Sequence, residues 1–318
     1  MSFSTEVKRE IVNSDVEECC LKAELYTILR FRSEIMISLG GFKVDIVTTL
    51  SSTVREIVRL FKKLYNANLE IIAIKKEKLD YKTRFKISLL ENGTKILQDL
   101  SIIDENYNLV DEINYDLFKN DCCKIAAVKG AFLIQGSISN PTQKNRYHLE
   151  IVAPSLEDAN FLVETLDKVS IDAKIVSRIK GYVVYFSKAE SISDFLRYTG
   201  AVNSLFYFED VRIEKDSRNY ANRMANCDIA NGEKSLKAAE KQLNDIAYLN
   251  EHYGLLKLSP RLMDAVILRN SYPDDSLSEL SELSEEVIGR YISKSGLSHC
   301  FNDLARLADG LRRKEKQH

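Results

Sequence analysis

The sequence predicts an α+β protein in which a duplicated αββαββα unit precedes an all-α module of helix-turn-helix type. Three observations predict it. Two Cys-Cys pairs head stretches that align without a gap, the same order of helices and alternating strands follows each pair, and the chain from Ser259 onward shows helical apolar spacing alone. With 318 residues, 45% apolar and 29% charged, the chain has the balance of a globular protein of two or three domains.

Aligning Cys19 with Cys122 lays ECCLKAELYTILRFRSEI over DCCKIAAVKGAFLIQGSI, so that Ala23 meets Ala126, Leu25 meets Val128, Leu29 meets Phe132 and Ile35 meets Ile138. After a short adjustment, the segment from Phe42 to Leu64 lies over that from Tyr147 to Val169. A repeat of roughly 100 residues is a half-domain, too long for a solenoid unit. In each copy a helix leads into a strand, FKVDIV or YHLEIV. An amphipathic helix follows, with Ile57, Leu60, Phe61 and Leu64 on one face of the first copy. A strand pair comes next, LEIIAIKK with TRFKISLL or AKIVSRIK with YVVYFSK, and short helices near Lys95 to Leu100 and Ser193 to Tyr198 close the copies. The copies are expected to meet at their first helices, where Gly130, Ala131, Gly136 and Ser137 permit close packing; loop or helix-end chemistry is the other reading of the glycines.

The predicted organisation is residues 1–112 and 113–210 for the two halves, a helical linker over 211–258, and a DNA-binding domain over 259–318 with its motif at about 276–310. Ser259-Pro260 starts the first helix of that domain, which carries Leu262, Val266 and Leu268 and ends before Pro273. Asp275 or Ser276 caps the second, with Leu277, Leu280 and Leu283. The third runs from Ser295 to about Leu311 and buries Leu297, Phe301, Leu304 and Leu307. By helix phase, Ser295, Ser298, His299, Asn302 and Arg306 lie away from that stripe and are the candidate DNA readers. Lys294, Arg312, Arg313 and Lys314 are candidate phosphate contacts, or else part of a solvated charged end. The connection SEEVIGRYI is expected to be longer and more acidic than a tight helix-turn-helix turn.

Net charge is −2, so no global basic field advertises nucleic acid and DNA binding must rest on a local patch. From Arg290 onward seven Lys and Arg face three Asp and Glu, which is such a patch. No apolar run approaches the ~18 residues of a membrane helix, and the charged start lacks a signal-peptide core, so a cytoplasmic protein is expected, and DNA binding would place it on the nucleoid. The vicinal pairs Cys19-Cys20 and Cys122-Cys123 neither bridge themselves readily nor match C-x-x-C zinc spacing. With Cys227 and Cys300 they read as reduced, mostly small buried residues, a structural zinc site being the lesser alternative, and neither metal nor cofactor is expected.

Asn219, Asn222 and Asn226 share a helix face near Arg218 and Arg223. Asparagine is a poor helix former, so the row suits hydrogen bonding to the duplicated domain, to a partner protein or to phosphate.

The αββαββα order with GAFLIQGSI at the second interface helix resembles the LAGLIDADG homing endonuclease fold, over roughly residues 18 to 205. The resemblance implies a DNA-binding saddle in which the last acidic residue of each motif holds a divalent metal; cleavage needs paired carboxylates to hold two ions about 4 Å apart. Here the second motif, Val128 to Gly136, places Gln135 at that position, and the first, Leu25 to Ser33, places Arg32 there. Neither is a hard anionic ligand, and Glu34 has only Ser137 as its counterpart, so nuclease activity is not expected.

The stretch RNYANRMANCDIANGEKSLKAAEKQLNDIAYLNEHYGL resembles the signature of WhiA-type regulators, bacterial proteins associated with sporulation and cell division. Asn219, Asn222, Arg223, Asn226, Cys227, Asn231, Lys234, Ala238, Ala239 and Gln242 match it, and KSGLSH follows. The resemblance implies a non-catalytic transcription regulator with double-stranded DNA and other transcription or division proteins as partners. Two other readings stand beside it: a cell-division adaptor acting through protein contacts, and an endonuclease using Asp45 and Glu150, which occupy matching strand positions.

Overall fold

The computed structural model describes residues 2–13, 17–38, 41–76, 80–143, 146–179 and 181–315. The chain forms two compact units, residues 1–215 and 216–318, each with its own apolar core.

The first unit opens with a helix that lies outside the expected repeat, α1 (Phe3–Val12), whose Ser2 cap accepts from the Thr5 N–H and whose Phe3, Val7 and Ile11 are buried. The first copy is then α2 (Glu18–Arg32), β1 (Ser33–Ser38), β2 (Gly41–Thr48), α3 (Ser51–Tyr65), β3 (Leu69–Lys76), β4 (Asp80–Leu89) and α4 (Gly93–Asp99). A 3-10 turn at Tyr115–Phe118 leads into the second copy: α5 (Asp121–Gln135), β5 (Gly136–Ile138), β6 (Leu149–Ala153), α6 (Leu156–Asp167), β7 (Lys174–Arg178), β8 (Gly181–Phe186) and α7 (Ala189–Tyr198). The sheets have the same antiparallel order, β1-β2-β4-β3 and β5-β6-β8-β7, so the duplication read from the Cys-Cys pairs is a duplication of topology. Register sets Glu34 opposite Asp45 in one copy and Ser137 opposite Glu150 in the other.

The copies pack through α2 and α5, as the small residues of α5 suggest. A Cβ on Gly130 would fall 2.7 Å from the Glu24 carbonyl oxygen, so any side chain there pushes the helices apart. Gly136 has a different task. It ends α5 and starts β5 without a loop, and a Cβ there would meet the Phe132 ring at 2.1 Å. In the first copy Ser33 makes the same switch, its hydroxyl donating to the Leu29 carbonyl at 2.6 Å.

A charge cluster crosses this interface. Lys129 Nζ lies 3.4 Å from Glu24 Oε2 and 3.7 Å from Glu56 Oε1, with all three side chains buried, and Arg59 pairs with Glu56 at the rim. Burial raises the Glu24 carboxyl to about 8 against the pull of Lys129. Burial also pushes Glu56 up, but Arg59 and Lys129 outweigh it and hold that group below the usual carboxylate range.

Helix α8 (Val202–His252) carries the chain from the first unit into the second, so the boundary expected at residue 210 falls inside a helix. The second unit continues with α9 (Pro260–Ser271), α10 (Leu277–Ile288) and α11 (Lys294–Glu315). Pro260 opens α9 at its first position, and Ser276 with Glu279 forms a reciprocal capping box on α10. Leu280, Leu297, Phe301 and Leu304 are buried together with Val266 and Leu268.

The connection from α10 to α11 corrects the sequence reading. Ser284 to Ile288 belong to α10, which ends at the left-handed Gly289 (φ 76°), and the linking loop is short. Two hydroxyls pin it: Ser281 donates to the Ile292 carbonyl at 2.7 Å, and Ser284 accepts from the Ile292 N–H at 2.8 Å. The sequence pattern missed this because Ser284, Glu285 and Glu286 look like loop composition, whereas Ser284 is buried and only the two glutamates face solvent. No described helix is long and apolar enough to cross a membrane.

Candidate nucleic-acid interface

Helix α11 has two chemically distinct faces. Leu297, Cys300, Phe301, Leu304 and Ala308 are buried, with Leu307 and Leu311 partly so. On the other side Lys294, Ser295, His299, Asn302, Arg306 and Arg313 are exposed, and Ser298 is half-buried. The periodicity thus brings the expected readers to one surface, beginning at the helix N-terminus where free N–H groups attract phosphate. Ser295 shares a 3.1 Å hydroxyl contact with Ser293, and Arg306 is 84% exposed and 3.9 Å from Asp303.

Arg312 is placed differently from Arg313. Its guanidinium donates to the buried Asp245 at 2.8 Å, reaches Asp309 at 3.3 Å and lies 4.5 Å from the Tyr248 ring centroid. It clamps α11 to α8. Sequence reasoning also passed over Arg269, which is buried and donates from Nε to Gln242 at 3.0 Å and from Nη1 to the Tyr272, Pro273 and Asp275 carbonyls. These bonds fasten the turn before α10 and explain Gln242 as a packing residue. A hydrophilic residue in the last turn of a helix carries no sequence mark of such burial.

Arg218, Asn219, Asn222, Arg223 and Asn226 lie on α8 and all are exposed. So is every residue from Asp216 to Lys234, including Tyr220, Met224 and Ile229. The signature therefore divides: its first part is open helix, whereas Ala239 and Gln242 are drawn into packing.

Arg32 and Gln135, the positions that the resemblance aligns with metal ligands, come together in the first unit. Arg32 and Gln135, at the C-terminal ends of α2 and α5, line one cavity of about 220 Å³ together with Lys8, Thr48 and Arg84. Gln135 donates to the Phe31 carbonyl at 3.3 Å. Lys8 is almost fully buried, 5.4 Å from the Phe132 ring centroid, and burial lowers its ammonium to about 8. The lining carries three cationic side chains, Lys8, Arg32 and Arg84. Lys8 and Arg84 were not legible as site residues, since only tertiary packing brings α1 and β4 to the ends of α2 and α5.

The alternative carboxylates are engaged. Asp45 is buried, accepting from Lys86 at 2.8 Å and Ser88 at 2.5 Å. Burial pushes its carboxyl up, but those bonds prevail and hold it below the usual range. Glu150 contacts Ser137, His148 and Arg178, each at 3.3 Å.

The cysteines depart most from the sequence reading. The α2–α5 packing gathers Cys19, Cys20, Cys122 and Cys123, whose Sγ atoms all lie within 4.8 Å of one another. Treating each vicinal pair by itself concealed this, because the ligand set is assembled by the pseudo-twofold. Nor are the cysteines mostly buried: Cys20, Cys123 and Cys300 are, Cys122 is half-buried, and Cys19 and Cys227 are exposed.

Three family models match the chain: the WhiA N-terminal LAGLIDADG-like domain over residues 18–103, the WhiA LAGLIDADG-like domain over 124–218, and the WhiA C-terminal HTH domain over 221–308. A protein of Bacillus cytotoxicus named "Probable cell division protein WhiA" is 38% identical over 312 residues, covering 98% of each chain. The chain belongs to the WhiA family. A Bacillus cereus WhiA of the same name is 37% identical over the same share of both chains. The crystal structure of full-length DUF199/WhiA from Thermatoga maritima has the same fold, with a TM-score of 0.59 at 21% identity, covering 97% of this chain and 98% of that one. The WhiA assignment places the α9–α11 unit in the HTH domain and both αββαββα copies in the LAGLIDADG-like domains.

Proposed function

We propose that this chain is a non-catalytic, DNA-binding transcription regulator acting in cell division and chromosome segregation or in sporulation, and that it resides on the nucleoid. The observation that carries this reading is the exposed polar and cationic face of α11, set on a packed helical core within a domain of the HTH family. Ser295, Ser298, His299 and Asn302 address base edges in the major groove, Asn302 having the donor and acceptor that adenine requires. Lys294, Arg306 and Arg313 hold phosphates. The cationic cavity at Arg32 supplies the first unit with a phosphate contact in place of metal chemistry.

The test is binding of the full chain to duplex DNA across a salt series with Mg²⁺ present, beside an Asn302→Ala/Arg306→Ala double variant. Expected are uncut shifted DNA and a loss of at least tenfold in affinity for the variant, each good base contact being worth about 1–3 kcal/mol. Equal binding by the variant would remove α11 from recognition, and cut DNA would restore the nuclease reading.

A second reading, a division adaptor, is favoured by one observation: the stretch from Asp216 to Lys234 exposes Tyr220, Met224 and Ile229 along an open helix. It predicts association with a division protein that survives high salt and is lost in Tyr220→Ala/Met224→Ala, with DNA binding unchanged.

A further inference from the structure

We propose that Cys19, Cys20, Cys122 and Cys123 form a tetrathiolate site for a zinc ion that ties the two LAGLIDADG-like copies together at the N-terminal ends of α2 and α5. Three edges of the cluster have the length of a coordination shell, and all four Sγ atoms lie within 4.8 Å of one another. Sγ separations are 3.8 Å for Cys19 to Cys20, 3.7 Å for Cys19 to Cys122 and 4.0 Å for Cys122 to Cys123. A tetrahedron with Zn–S bonds of about 2.3 Å has edges of about 3.8 Å. A disulfide would need about 2.05 Å between sulfurs.

Burial and the neighbouring thiols push the Cys20 and Cys123 thiols up, so the metal itself has to displace their protons. Cys19 and Cys20 lie in the first turn of α2, Cys122 and Cys123 in the first turn of α5, and neither helix has a side-chain cap bond. Two helix N-termini, with their positive dipole ends, therefore meet at one cluster, as a negatively charged zinc tetrathiolate needs. Glu17 Oε2 accepts from the Cys19 thiol at 3.6 Å and from the Cys122 thiol at 3.7 Å. Binding forms four Zn–S bonds and releases the thiol protons to solvent, with no change of oxidation state. A cavity of about 300 Å³, lined by Glu17, Cys20, Cys122, Lys129 and Arg197, opens beside the site and gives an entry path. Soft thiolate donors in a tetrahedral set select zinc over the hard cations of a nuclease centre.

The full-length chain, stripped of metal under reducing conditions and titrated with Co²⁺ as a spectroscopic stand-in, tests this. Expected are intense tetrahedral d–d bands with thiolate charge-transfer absorption, saturating at one ion per chain and displaced by Zn²⁺, with an upward shift in the unfolding midpoint. Cys122→Ser should weaken and blue-shift the bands, while Cys227→Ser leaves them unchanged. Because the wild-type spectrum is itself decisive, a Cys122→Ser chain that fails to fold does not blunt the test. Octahedral bands, no bands, or bands retained in folded Cys122→Ser would overturn the site. So would a reduced chain that binds no metal yet forms a Cys19–Cys122 disulfide on mild oxidation.

Discussion

The two ends of the α2–α5 pair have gone opposite ways. At the N-terminal end the copies match, each contributing vicinal cysteines to one cluster; at the C-terminal end they differ, with Arg32 in one copy and Gln135 in the other lining a cationic cavity. A pseudo-twofold constrains both copies wherever a single centre draws ligands from each. Where no shared centre remains, each copy answers to its own neighbours. Between the ends, Gly130 and the Glu24–Lys129 pair hold the helices at the separation on which both depend.

Breaking that separation should have the largest effect. Gly130→Val forces a branched side chain against the Glu24 carbonyl and should cost about 3 kcal/mol or more in urea unfolding, at the upper end of overpacking penalties, while also diminishing the cobalt spectrum. Unchanged stability would mean that the helices can part without consequence.

Glu24 sharpens the comparison through pH. Its folded carboxyl is raised from 4.5 to about 8, so its contribution is fully present below about 4.5 and is lost as pH rises towards about 8. Urea midpoints should therefore decline across that window, and Glu24→Gln should flatten the decline. Glu56 acts in the opposite sense, its contribution falling away in acid, so measurements above about pH 5 isolate Glu24.

Smaller effects separate the two ends. Arg32→Ala should reduce the slope of log affinity for duplex DNA against log salt by about 0.9 for one lost phosphate contact, leaving metal content intact. Folded Cys122→Ser should do the reverse. The smallest contrast sets the scale within α11: Arg313→Ala should weaken DNA binding without loss of stability, whereas Arg312→Ala should cost up to about 1 kcal/mol of stability, because its guanidinium clamps Asp245.

Much of the architecture was legible because it rests on local pattern. Matched apolar positions behind Cys19 and Cys122 exposed the repeat, and the Leu297, Phe301 and Leu304 spacing set the outward face of α11. Helix α1 was overlooked because its Phe3, Val7 and Ile11 stripe is embedded in charged residues. The Ser284 to Ile288 segment differs from its sequence reading for a similar reason: the polar run Ser284-Glu285-Glu286 imitates a loop, although Ser284 is buried in the helix.

The sequence by itself determined the duplication, the order of helices and strands, the loss of acidic residues at Arg32 and Gln135, and the family signature along α8. All of these are written in the spacing of neighbouring residues. Only the tertiary structure decided that four cysteines become one cluster, that Lys8 and Arg84 join Arg32, that Arg269 is buried against Gln242, and that Arg312 pairs with Asp245. Each of those facts joins positions far apart in the chain, and the packing that joins them leaves no period in the sequence to read.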